Sequence, residues 1–138
     1  MKDRLNQKET KNLINYWTEG AEEDFKTAKI LFDSKIYHYS LYFCHLTLEK
    51  LLKALVIRKT KSHALPIHNL LKLASDAKLQ LTSNQIKELS LINEFNIRAR
   101  YNDYKREFYK KATLEYTQNW LKVCEVFYIL IKKELKKN

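Results

Sequence analysis

Only Gly20 and Pro66 represent the two residue types that most readily break regular backbone in a chain of 138 residues. A chain so poor in turn chemistry, and so rich in Leu, Ile, Lys and Glu, is confined to helices joined by few loops. The apolar periodicity agrees. Over Lys11 to Asp33, Leu13, Trp17, Ala21, Phe25, Ala28 and Leu31 recur at three- or four-residue steps. Over Ile36 to Arg58, Tyr37, Leu41, Cys44, Leu48, Leu51 and Leu55 form a bundle seam, widened by Leu46, Leu52, Ala54, Val56 and Ile57. This second helix is therefore expected to be buried on more than one side.

Lys59 to Pro66 reads as a basic loop, followed by a short helix carrying Ile67, Leu70, Leu71 and Ala74. Thr82-Ser83-Asn84-Gln85 has the form of a capping box. The helix it opens shows Ile86, Leu89, Ile92 or Asn93, and Ile97, and runs into a cluster of arginines. A last long helix is expected from about Lys111 to Leu135, with Leu114, Leu121, Cys124, Tyr128, Ile131 and Leu135 on its seam. The spacing thus predicts an all-α, up-and-down bundle of about five helices, three long and two short. Residues 1–10 read as a polar N-terminal segment and 11–138 as one domain, long enough for a single core.

There are 26 Lys and Arg against 16 Asp and Glu, a formal net charge of +10. That excess favours polyanions: nucleic acid, nucleotides, anionic membrane or an acidic partner. Cys44 and Cys124 both fall inside apolar helical patterns, where a free thiol behaves as a small hydrophobe. With no short cysteine spacing, a reduced cytoplasmic protein without a structural metal is expected. The polar start lacks a signal-peptide core, and the longest apolar run, Val126 to Ile131, is too short to span a bilayer, so no membrane association is expected.

The run FNIRARYNDYKREFYKK from Phe95 to Lys111 sets Arg98, Arg100, Tyr101, Asp103, Tyr104, Lys105 and Arg106 almost side by side. Arginine forks grip phosphate oxygens bidentately, tyrosines stack on bases or donate hydroxyls, and an aspartate can orient either. Read plainly, it is a solvated helix end and loop. Glu49-Lys50 followed by Lys53 places an acid one turn before a base, the favoured order for a helical ion pair. On so apolar a helix, the same charges suit a packed interface or a polar network in a cleft. His68 follows Pro66, where a loop hydrogen bond is the simple role and acid–base chemistry the sharper one. His38, His45 and His63 form no metal-ligand pattern, and one glycine cannot build a phosphate-cradling loop. No metal or cofactor is expected. Arg58-Lys59-Lys61 and the lysines from Lys132 to Lys137 read as solvated helix ends.

Taken as a set, Trp17, Ala21 and Asp24, then Glu49-Lys50 with Lys53-Ala54, then His68-Asn69-Leu70, then Ala99-Arg100-Tyr101-Asn102-Asp103, resemble the HEPN domain (higher eukaryotes and prokaryotes nucleotide-binding). The likeness runs from about Trp17 to Ile131 and is nearest to the toxin branch associated with nucleotidyltransferases. Asn102 stands where members often carry proline. The resemblance implies a helical bundle that forms a homodimer, with the polar motif lining a cleft between protomers. Family members include ribonucleases, several of them toxins paired with a minimal nucleotidyltransferase antitoxin.

Their nuclease motif places a histidine four to six residues after an arginine, and here no histidine follows His68. The expected function is therefore nucleotide or RNA binding within a toxin–antitoxin or nucleotidyltransferase-associated module. Arg98 and Arg100 would clamp phosphate, Tyr101 and Tyr104 would stack or donate a hydrogen bond, and Asp103 would orient an arginine. Glu49, Lys50 and Lys53 join them as ligand-binding candidates. One alternative is a metal-independent ribonuclease in which Arg98 or Arg100 stabilises the phosphorane while Asp103, Tyr104 or His68 is the base. The other is a non-catalytic interaction bundle.

Overall fold

The computed structural model describes residues 4–137, apart from the side chain of Asn102; residues 1–3 of the polar N-terminal segment lie outside it. It is an all-α bundle of six helices: α1 (Gln7–Asp33), α2 (Tyr37–Thr60), α3 (Leu70–Asp76), α4 (Ser83–Arg98), α5 (Asn102–Lys111) and α6 (Leu114–Lys136). α1 and α2 form an antiparallel hairpin. Ser40 donates to the Ala28 carbonyl near the turn, Lys50 meets Asp24 farther along, and the Leu5 N–H reaches the Lys61 carbonyl at the open end.

α2 is the axis of the fold. It touches every other helix, and its run from Leu51 to Ile57 is buried without a break. A helix with apolar residues on more than one side takes the centre of a bundle. Ala21, Phe25 and Ala28 of α1 cover one side, and Cys124, Phe127 and Ile131 of α6 cover another. The two thiols are free and buried there, with Cys124 Sγ donating to the Cys44 carbonyl at 3.7 Å.

Helix ends follow local chemistry. The Thr82–Gln85 capping box opens α4 as expected, and Asn69 caps α3 through the N–H groups of Leu71 and Lys72. α1 begins four residues earlier than its apolar periodicity suggested, because Asn6 and Glu9 make a capping box of their own. With glycine scarce, lysines take the left-handed positions after helices. Lys35, Lys61 and Lys78 have φ of 63°, 56° and 55°. At Lys35 and Lys78 the following N–H groups close Schellman turns, Ile36 onto the Leu31 carbonyl and Leu79 onto that of Ala74.

The stretch expected to be a helix end and loop contains a sixth helix. α5 follows a short bend after Ala99 and is pinned by Phe108, which lies against Phe95 with ring centroids 5.4 Å apart. Lys111 consequently ends α5, and α6 starts at Leu114 behind the Thr113 cap. Leu114, Ile86 and Ile97, expected on apolar seams, are exposed, since α4 buries Leu89, Ile92, Phe95 and Asn96 instead.

Candidate functional site

The added helix disperses the side chains that the run from Arg98 to Arg106 sets close together in sequence. Arg98 folds back along α4 onto Glu94, its Nε and Nη2 donating to Oε1 at 3.1 and 2.7 Å. That bond outweighs burial, which acts in the opposite direction, and holds its pKa above the ordinary value. With Tyr104, Ile97 and Glu94 it lines an open hollow of about 230 Å³. Arg100 turns the other way. Its Nε donates to the Asn96 carbonyl at 3.0 Å, and its guanidinium carbon lies 5.9 Å from the Tyr42 ring and 5.5 Å from the Tyr101 ring.

Lys105 stands 5.1 Å over Tyr39, beside His38. Burial lowers the pKa of His38, and the charge of Lys105 lowers it further. Asp103 is exposed and makes no hydrogen bond or ion pair among the described residues. It lies in the first turn of α5, where its charge complements the helix dipole.

A second polar group is organised from α2. Glu49 is only 5 % exposed and is held from two sides. Lys53 Nζ donates to its Oε2 at 2.9 Å, the ion pair expected from their spacing, while His68 Nδ1 lies 3.0 Å from Oε1. His45, fully buried, sits one turn before Glu49, with Nδ1 3.7 Å from Oε1. Its Nε2 is 3.0 Å from the His68 carbonyl, which only accepts, so the proton belongs on Nε2. Burial pushes the pKa of His45 down to about 4, although Glu49 draws it upward. Asn93 of α4 completes the group, accepting from the Leu70 N–H at 2.9 Å. Glu49, His45 and Asn93 together fasten the segment from His68 to Leu70 against α2 and α4.

Lys50 departs from its neighbours. It crosses to Asp24 on α1 at 2.7 Å, and its stem passes over Gly20. A Cβ at position 20 would come 3.2 Å from Lys50 Cδ, so glycine leaves room for that crossing. Lys53 meanwhile lies 5.0 Å over the Trp17 ring.

Tyr42, His45, Glu49 and Lys53 follow one another at three- and four-residue steps, so they share one face of α2 over about 16 Å. Arg100 meets the Tyr42 end of this stripe and Trp17 the Lys53 end. The face can present a fixed cation to an anionic group at one end and an oriented imidazole near the middle. Tyr42, His45, Asn93 and Asn96 are parts of it that the motif reading did not single out for a site. The 42-45-49-53 spacing was the available signal, hidden because apolar residues occupy the rest of the helix. Among the described residues no three His, Cys, Asp or Glu side chains converge as metal ligands.

No curated protein sequence matches the chain. The solved structure of TT1696 from Thermus thermophilus is similar in fold, with a TM-score of 0.76 at 16 % identity, covering 88 % of this chain and 97 % of that one. The HEPN domain family model matches residues 14–135, a span that includes all six helices except the first turns of α1 and the last residue of α6. The chain belongs to the HEPN domain family.

Proposed function

We propose that this HEPN domain binds the phosphate of a nucleotide or of RNA on the face where α2, α4 and α5 meet, with Arg100 as the clamp. The setting of Arg100 carries the reading. Its Nε is held by a backbone carbonyl, the Tyr42 and Tyr101 rings lie 5.9 and 5.5 Å away, and no acid among the described residues neutralises it. A fork held by its stem keeps its outer N–H groups for a ligand. Tyr101, 54 % exposed, supplies stacking surface and Lys105 adds charge, while Tyr104, 49 % exposed, lies with Arg98 at the neighbouring hollow. Arg98 is secondary, since a ligand must compete with Glu94 for it.

The setting of the proposal is a toxin–antitoxin or nucleotidyltransferase-associated module. The domain would pair with a second copy across this face, and its partner would be a nucleotidyltransferase-type antitoxin. A single-stranded oligoribonucleotide should raise the melting temperature, with affinity falling as salt rises. Arg100→Ala should remove the effect while leaving the helical spectrum intact. Undiminished binding by that variant would sink the reading.

A catalytic reading has one observation in its favour, the 3.0 Å contact between Glu49 and His68 Nδ1. A carboxylate accepting from Nδ1–H leaves the Nε2 lone pair of a 59 % exposed imidazole facing outward. Such a group can take the 2′-hydroxyl proton as that oxygen attacks phosphorus and the 5′-oxygen leaves. Cleavage of single-stranded RNA in EDTA, lost in His68→Ala but with RNA binding retained, would establish it. Equal cleavage by His68→Ala would remove His68 from the mechanism.

A further inference from the structure

A hollow of about 550 Å³ lies away from the Arg100 face, between the start of α1 and the end of α2. Two features of the chain build it. The Leu5 N–H donates to the Lys61 carbonyl at 2.8 Å, drawing the N-terminal strand of backbone across the end of α2. Lys61 itself is left-handed, which ends α2 and turns the chain at that point. Gln7, Lys11 and Ile14 then face the opening from successive turns of α1.

The lining is one-signed. Arg4, Lys11, Arg58 and Lys61 all border the groove, and no acidic residue among the described ones does. None of the four is in an ion pair among the described residues, whereas Lys59, between two of them, turns away toward Glu134 at 3.9 Å. The nearby Glu9 is occupied with the Asn6 N–H at 3.0 Å. Converging cations repel one another, and a bound anion relieves that repulsion. Leu5 and Ile14 give the same groove an apolar floor. A cavity of this size belongs with small-molecule sites, about 300–1,000 Å³.

We infer that this groove binds a small phosphate-bearing molecule of mononucleotide size. Its phosphates would lie among Arg58, Arg4, Lys11 and Lys61, with its less polar part over Leu5 and Ile14. The site is independent of the Arg100 face: Arg58 lies about 24 Å along α2 from Tyr42.

The test uses the full chain, with ATP and inorganic pyrophosphate as probes in calorimetry and in amide NMR titration. Saturable binding should shift the amides of Leu5, Gln7, Lys11 and Lys61. Arg58→Ala and Lys11→Ala should each weaken it about tenfold, as expected for loss of a charged contact. Charge reversal at the distant Lys122 (K122E) should change it less than about twofold. Shifts confined to Tyr42, Arg100 and Lys105, with losses only in Arg100→Ala, would overturn the groove and keep the other face. No saturable binding of either probe, or equal losses from Lys122→Glu, would also overturn it.

Discussion

Glu49 and His68 are nineteen residues apart in the chain, yet His68 Nδ1 lies 3.0 Å from the Glu49 carboxylate. This contact ties the connection after α2 back onto the helix it has just left. With the His45 bond to the His68 carbonyl, it fixes where α3 begins.

Removing the carboxylate should be costly. Glu49→Ala leaves the ammonium of Lys53, a residue only 6 % exposed, without its acid, and frees His68. The expected loss is about 3–5 kcal/mol in urea unfolding. Replacing Glu49 and Lys53 together by Leu and Met should cost much less, because no unpaired charge remains. A double variant as unstable as Glu49→Ala would contradict this account.

Stability should fall in mild acid. The folded pKa of His45 is about 4, below the ordinary 6.5, so the unfolded chain takes the proton first. The contribution of neutral His45 is complete above about pH 6.5 and is lost as pH falls toward and through 4. His45→Gln keeps a donor for the His68 carbonyl but cannot titrate. Its unfolding midpoint should depend less on pH between 6.5 and 4, and an unchanged slope would exclude His45 as the cause.

Phe108 is the anchor of α5. It is 2 % exposed and packs on Phe95, which also meets Trp120 at 6.0 Å. Phe108→Ala should cost about 3–5 kcal/mol. Hydrogen exchange should show the loss concentrated in α5, with protection lost at Lys105 and Tyr109 before α1 or α2 is affected. Uniform loss across the bundle would mean that α5 has no separate stability.

One substitution should improve the protein. Lys78 holds a φ of 55° after α3, a conformation that costs a side-chain-bearing residue about 1–2 kcal/mol. Lys78→Gly should stabilise by about 0.5–1 kcal/mol after the added entropy of the unfolded glycine. Thermal melting decides, and a lowered midpoint would refute the strain.

The class of fold was legible because scarce glycine and proline, with unbroken apolar seams, leave few alternatives to a helical bundle. α2 announced its central place through apolar residues on more than one side, and the Thr82–Gln85 box marked the start of α4. The site was harder to read. Sequence proximity of Arg98, Arg100 and Asp103 suggested one cluster, but Arg98 ends α4, Arg100 lies in the bend that follows and Asp103 belongs to the first turn of α5. α5 was missed because its ten residues bury little besides Phe108, and ends of helices rich in charge look like loops. Lys50 and Lys53 looked alike in sequence, and only the packing of α1 sends one to Asp24 and the other beneath Trp17.

Trp17 has the ammonium of Lys53 5.0 Å from its ring centre, while Trp120 packs edge-on against Phe95. The two indoles therefore emit from unlike surroundings, one charged and one hydrocarbon. Any event that draws Lys53 from Glu49 must change the field at Trp17 and leave Trp120 largely unaffected. The fold thus contains an intrinsic fluorophore whose colour and intensity register the state of its buried charges, readable without a label.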